Sequence, residues 1–139
     1  MISELSFQEI QVGDTASFKL KIEEEHVFAF ASLTGDYNPL HTDSGYAATT
    51  RFGRCIAHGM FLGSLFSRLV GMYLPGRHCL YLSQTLNFLK PVYVGDEIEV
   101  VGEVYSRHEA VQSLVMKTEL YVLPDQLAVS GKAHVMVLE

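Results

Sequence analysis

The sequence predicts an α+β domain in which an antiparallel sheet wraps around one long central helix. Three observations carry that reading. The C-terminal half is a succession of strand-like runs with short connections, which implies antiparallel neighbours. One segment, 55–73, is apolar on most faces with Arg68 as its acid- or base-type charge, and a helix hydrophobic nearly all round is a buried one. The chain has 139 residues, 48% of them hydrophobic, which suits a single domain over 1–139 with a real core.

Taken in order, residues 1–13 are an irregular lead-in closed by the turn signal Val12-Gly13-Asp14. Residues 15–22 alternate, with Ala16, Phe18, Leu20 and Ile22 on one face of a strand. Residues 23–34 read as a helix: Glu23, Glu24 and Glu25 suit its positive end, and Val27, Phe28, Phe30 and Ala31 supply an apolar stripe. Thr42-Asp43-Ser44 caps a short helix carrying Tyr46, Ala47 and Ala48, and Arg51 to Arg54 connect it onward. A helix over 55–73 would be about 28 Å long, with Cys55 as a small buried residue at its start. Gly59, Gly63, Ser67 and Gly71 give it one thin face, and Leu74-Pro75-Gly76 stops it. Residues 79–90 then form one long strand, and 92–95 bridge to Asp96. Ile98, Val100, Gly102 and Val104 alternate in the next strand. Two more, 111–123 and 128–138, are parted at Pro124-Asp125 and complete a four-stranded meander. No internal repeat, low-complexity stretch or domain linker interrupts the chain.

Bulk properties exclude several function classes. A net charge of −6 and the absence of any Lys/Arg run argue against nucleic acid and anionic membrane as partners. No apolar stretch reaches the length of a membrane span, and the N-terminus lacks the basic and apolar regions of a secretory signal. Cys55 and Cys79 are too few and too far apart for a zinc ribbon or a disulfide framework, so a reducing, cytoplasmic setting is expected. Cys55 with His58 is formally a nucleophile pair, but a small buried residue is the preferred reading of Cys55.

The chemistry concentrates in residues 34–41. Asp36 and His41 lie on either side of Asn38-Pro39, where proline removes an N–H and pushes Asn38 to an extended conformation. The incoming helix should end near Gly35 and the chain should reverse, which lets the two side chains converge as an unbroken helix would not. An Asp and a His that share a water can move a proton on and off carbon. Turn formation alone would account for Asp36 and Asn38 from their spacing.

Asp36-Tyr37-Asn38-Pro39-Leu40-His41, followed by Phe52-Gly53 and Ile56-Ala57-His58-Gly59-Met60, resembles the hydratase motif of the MaoC-like, (R)-specific enoyl-CoA hydratases. The resemblance continues through Leu65-Phe66-Ser67 and Leu74-Pro75-Gly76 to Pro91-Val92-Tyr93-Val94-Gly95-Asp96, and covers residues 10–139. Within the family the chain is most similar to short bacterial hydratases that feed polyhydroxyalkanoate synthesis. The resemblance implies a hot-dog fold, a homodimer or a dimer of dimers, an acyl-CoA thioester substrate, and no metal or organic cofactor. It implies that Asp36 and His41 are the catalytic pair and that the Gly59 N–H binds the thioester carbonyl. Ser67 would support the site from the helix, with a small residue on the packing face as the alternative.

The reaction implied is the reversible syn addition of water to trans-2-enoyl-CoA, giving (R)-3-hydroxyacyl-CoA. It needs a base for water, an acid for C2, and stabilisation of charge on the thioester oxygen, which a helix N-terminus at Gly59 would supply. Which of Asp36 and His41 is base and which acid stays open, since such a pair titrates as a unit. His58 reads as a helix-start residue that satisfies local backbone, and His26, His78, His108 and His134 read as structural. Phe28, Phe30, Met60, Phe61 and Phe66 are core positions, some of which would line an acyl tunnel. Arg51, Arg54, Arg77 and Lys90 are the cations that could meet CoA phosphates. Rival readings are an acyl-carrier-protein dehydratase, a hot-dog thioesterase, and a non-catalytic acyl-CoA-binding module.

Overall fold

The computed structural model describes residues 1–138, so residue 139 of the expected domain lies outside the described residues. The elements are β1 (Thr15–Lys21), α1 (Glu24–Thr34), α2 (Pro39–Thr42), α3 (Ser44–Ala48), α4 (Gly59–Arg68), β2 (Cys79–Gln84), β3 (Asn87–Phe88), β4 (Glu97–His108), β5 (Ser113–Val122) and β6 (Gln126–Val137). A π-helical turn, Leu69–Tyr73, prolongs α4. The strands form one antiparallel sheet in the order β1-β4-β5-β6-β2, with β3 also paired to β6.

Period-two alternation fills the inner face of this sheet. Ile98, Val100 and Val104 of β4, Leu114, Met116 and Leu120 of β5, and Ala133, Val135 and Val137 of β6 are all buried. Leu62, Leu65, Phe66, Leu69 and Val70 of α4 and its continuation bury the opposing stripe, and the two surfaces share two apolar clusters. The helix therefore rides in the concave face of the sheet, and its N-terminus is held at one end of the core.

Three expectations are corrected by physical detail. The central helix begins at Gly59 and not at 55, because the preceding residues are pinned as extended chain: Ile56 bridges Tyr93, and the Ala57 N–H donates to Val92 O at 2.8 Å. Cys55 accordingly sits in the lead-in to that segment and not in a helix. The run 79–90 is not one strand, because the ladder to β6 is interrupted at Thr85. There the Thr85 N–H donates to Lys132 O at 2.9 Å, its Oγ1 accepts from Lys132 N at 2.9 Å, and its carbonyl occupies the space a Cβ on Gly131 would need. Finally, only β4, β5 and β6 form a sequential meander; β2 adds to the far side of β6. The connection after β3 crosses back past Ala57 and Ile22, with the Gly95 N–H donating to Ile22 O at 2.7 Å. That crossing is what brings Val92 beside the start of α4.

The lead-in is less irregular than its composition suggests. Phe7–Glu9 forms a single 3-10 turn that buries Phe7, and Ile10 follows it into the second cluster. The chain reversal expected over 36–41 contains the start of a one-turn helix, α2.

Candidate active site

The site is assembled from three backbone events, each legible in local chemistry. α1 ends on Gly35, whose left-handed φ of 82° suits a residue without Cβ, and the Gly35 N–H closes the helix on Ala31 O at 2.8 Å. Asp36 then leaves the helix axis, with its N–H on Thr34 Oγ1 at 3.3 Å. Asp36 Oδ1 accepts from the Asn38 N–H at 3.1 Å, so the carboxylate builds its own turn. Asn38 is extended (φ −51°, ψ 129°), as the following proline requires, and its Oδ1 caps α2 by accepting from the Leu40 N–H at 3.0 Å. The single turn of α2 carries His41 back toward Asp36.

His41 is fixed by main chain. Its Nδ1 lies 2.7 Å from Ile56 O. A carbonyl can only accept, so Nδ1 bears the hydrogen and the neutral ring keeps its lone pair on Nε2. His58, the N-cap of α4, is 2% exposed, and its Nε2 lies 3.0 Å from Asp36 O. The same reasoning makes Nε2 a donor there. The His58 ring stacks on His41 with centroids 4.0 Å apart, and its Nε2 stands 3.9 Å from Asp36 Oδ2. One donor atom from each of Asp36, His41 and His58 lies within 4.8 Å of the other two.

α4 points its N-terminus into this group. The first intrahelical bond is the Leu62 N–H to His58 O at 3.2 Å, so the N–H groups of Gly59, Met60 and Phe61 precede the ladder. Beside them opens a cavity of about 370 Å³ whose walls include His41, Gly59, Leu62 and Phe88, with Arg51 and Lys90 also on its lining. The lining thus combines His41 and Gly59 with apolar side chains and two cations.

Of the residues singled out from the sequence, Asp36, His41 and Gly59 come together at one end of α4. Ser67 does not join them within the chain: it is exposed, and its eight-residue offset from Gly59 is about 12 Å along the helix. The four candidate cations have different surroundings. Arg54 stacks over Tyr93 at 4.1 Å, donates to Val94 O at 3.1 Å and lines a second cavity that His41 also borders, and Arg77 pairs with Glu4 at 2.7 Å. Arg51, which lies over the Phe52 ring at 4.9 Å, and Lys90 line the cavity beside Gly59. His58 was read as satisfying local backbone; it does satisfy backbone, but the carbonyl belongs to Asp36 and the ring packs on His41. Its place immediately before Gly59 was the available signal.

Cys55 is not equipped to be a nucleophile. Burial pushes its thiol above the ordinary range, and the carboxylates of Asp43 and Glu24 push in the same direction. The Asp36–His41–His58 group is also the one with metal-ligand spacing among the described residues. Two of its four ring nitrogens are engaged, since His41 Nδ1 and His58 Nε2 donate to carbonyls, and His58 Nδ1 is buried without a partner. His41 Nε2 beside the Asp36 carboxylate is an arrangement that can pass a proton.

Comparison with known proteins bears on the family and the fold. The model of the MaoC like domain matches residues 7–123. An (R)-specific enoyl-CoA hydratase of Aeromonas caviae is 44% identical over 131 residues, covering 94% of this chain and 98% of the relative. The solved structure of the (R)-hydratase from A. caviae involved in PHA biosynthesis superposes with a TM-score of 0.91 at 43% identity, covering 94% of this chain and 98% of that one. That of R-hydratase PhaJ1 from Pseudomonas aeruginosa, unliganded, gives a TM-score of 0.95 at 37% identity, covering 99% of this chain and 88% of that one. With a hot-dog sheet wrapped on α4, a paired Asp and His beside the helix N-terminus, and a family match across most of its length, the chain belongs to the MaoC-like domain family.

Proposed function

We propose that this protein is a hydro-lyase, an (R)-specific enoyl-CoA hydratase that adds water reversibly to trans-2-enoyl-CoA. The observation that carries the reading is the convergence of Asp36 and His41 beside the unladdered N–H groups of α4. The substrate's thioester carbonyl accepts from the Gly59 N–H, where the helix macrodipole stabilises the negative charge that gathers on oxygen as the enolate forms. One water lies between His41 Nε2 and Asp36. The lone pair on Nε2 takes a proton as the water oxygen attacks C3, and the pair returns a proton to C2 from the same side. Addition is therefore syn, and which face of the alkene is presented decides the (R) product. No step calls for electrons or for a stronger electrophile than the conjugated thioester, so the reading requires no cofactor and no metal.

Arg51 and Lys90, on the cavity lining without a carboxylate partner among the described ion pairs, would meet the phosphates of the CoA carrier. Ser67 would act from an adjoining copy of the helix face or not at all. A homodimer accounts for the open edge of the sheet: β2 has no neighbour beyond β6, and Leu80, Leu82, Phe88 and Leu89 are exposed there. No described helix is long and apolar enough to cross a membrane, and both thiols are free, which fits the proposed cytoplasmic setting.

The test is to follow the enoyl-thioester absorbance of crotonyl-CoA, coupled to an (R)-specific 3-hydroxyacyl-CoA dehydrogenase. Loss of the band with (R) product supports the reading. Free CoA thiol without 3-hydroxy product would make the protein a thioesterase, and turnover confined to carrier-protein thioesters would make it a dehydratase of fatty-acid synthesis.

A further inference from the structure

We infer that His58 is a positioning residue of the Asp36–His41 pair, a strut beneath the turn that carries Asp36 and a plate against the His41 ring. The inference rests on the hydratase reading above. A histidine buried to 2% exposure is ordinarily a packing residue, and three features separate this one. Its Nε2–H donates at 3.0 Å to the main-chain carbonyl of Asp36 itself, across 22 residues of sequence. Its ring lies against the ring of His41, centroids 4.0 Å apart and planes 29° from parallel. Phe30 also packs on it, at 4.8 Å, so the ring cannot swing away.

The unpaired ring nitrogen also argues against simple packing. His58 Nδ1 is buried with no hydrogen-bond partner, a desolvation penalty that phenylalanine in the same space would avoid. If filling volume were the task, an apolar ring would serve better. The polar atom with a use is Nε2, and its use is to hold the Asp36 peptide.

That contact matters because Asp36 directly follows the left-handed Gly35, where the chain changes direction. The carbonyl fixes the peptide plane after Asp36, and so fixes where the carboxylate points. On the other side, Ile56 O holds His41 Nδ1 while the His58 ring blocks one face, so Nε2 has one orientation. His58 is too buried to touch substrate and passes no proton. It acts through the two residues that do.

The test compares the full-length wild type with His58→Phe and His58→Gln, each checked for folding by circular dichroism and thermal melting. His58→Phe keeps the plate and loses the donor; His58→Gln keeps a donor and loses the ring. The expected result is that His58→Phe stays folded, loses about 10- to 100-fold in kcat, and keeps KM within about threefold of wild type. His58→Gln should recover at least about fivefold of that loss. A phenylalanine variant with near-wild-type kcat, a defect in KM alone, or equal defects in the two variants would each overturn the inference. Long-range proton–nitrogen NMR of the wild-type histidine rings gives a readout independent of turnover and of mutant folding. His58 should appear as the Nε2–H tautomer, and a ring protonated on Nδ1 would overturn the strut. A wild type that hydrates no enoyl thioester would defeat the hydratase reading, while the tautomer measurement would still judge the strut.

Discussion

Asp36 uses its two oxygens differently. Oδ1 closes the turn by accepting from the Asn38 N–H, and Oδ2 faces the histidines. Asp36→Asn should therefore keep the turn, since an amide oxygen accepts from the same N–H, while removing the charge and the proton relay. We expect a folded protein whose kcat for crotonyl-CoA falls by about 10²–10⁴-fold, read from the loss of enoyl absorbance. A variant within a few-fold of wild type would remove Asp36 from the chemistry. The pair was legible from sequence because its geometry is made locally: Gly35, Asp36, Asn38 and Pro39 each dictate their own backbone. The role of His58 was not, because its partner is a carbonyl oxygen on a distant residue, and every residue has one. Nor did the sequence separate Arg51 and Lys90 from Arg54 and Arg77, which depends on Tyr93 and Glu4 arriving nearby.

At the scale of elements, the break at Thr85 between β2 and β3 explains why one strand-like run is not a continuous strand. Gly131 of β6 lies against the Thr85 carbonyl, and that acceptor is backbone, unable to rotate aside. Gly131→Ala should be destabilising by about 1–3 kcal/mol, seen as a lower urea midpoint, with the neighbouring Lys132→Ala much milder. β2 also carries a pH liability. Burial pushes the Cys79 thiol from 9.0 up to about 11, and burial followed by the nearby Cys79 pushes the Tyr81 hydroxyl from 10.0 up to about 12. Between pH 9 and 11 the unfolded chain thus releases a proton from Cys79 that the folded chain retains, and stability falls as pH rises through that window. Cys79→Ala should flatten the slope of melting temperature against pH across it. An unchanged slope would mean that the thiol is open to water in the folded protein. Helix and strand identities were readable from periodicity; the start of α4 was not, because the Ile56–Tyr93 bridge that delays it joins residues 37 apart.

For the whole molecule, a net charge of −6 repels a polyanionic carrier at long range, so any attraction must be local. Arg51→Ala or Lys90→Ala should raise KM for crotonyl-CoA by about fivefold with kcat retained. The same variants should leave turnover of a short, phosphate-free thioester unchanged, and an equal effect on both substrates would place the cations elsewhere in the mechanism. Sedimentation should give a particle at least twice the 15.5 kDa of one chain, with Leu80→Glu shifting it toward the monomer; a wild type that sediments as one chain would leave the β2 edge unexplained. The architecture of helix on antiparallel sheet followed from sequence, whereas the placement of β2 beyond β6 did not, because nothing local distinguishes one edge of a sheet from the other. A last point concerns how such a site tolerates change. Both histidines are held by peptide oxygens, Ile56 O and Asp36 O, which survive any side-chain replacement at those positions. The geometry of the pair is thus inherited from the path of the chain and not from the identity of its supports. Point substitution around the pair can drift widely, but the count of residues between 36 and 41 and between 56 and 59 cannot: one insertion or deletion there would break both attachments together.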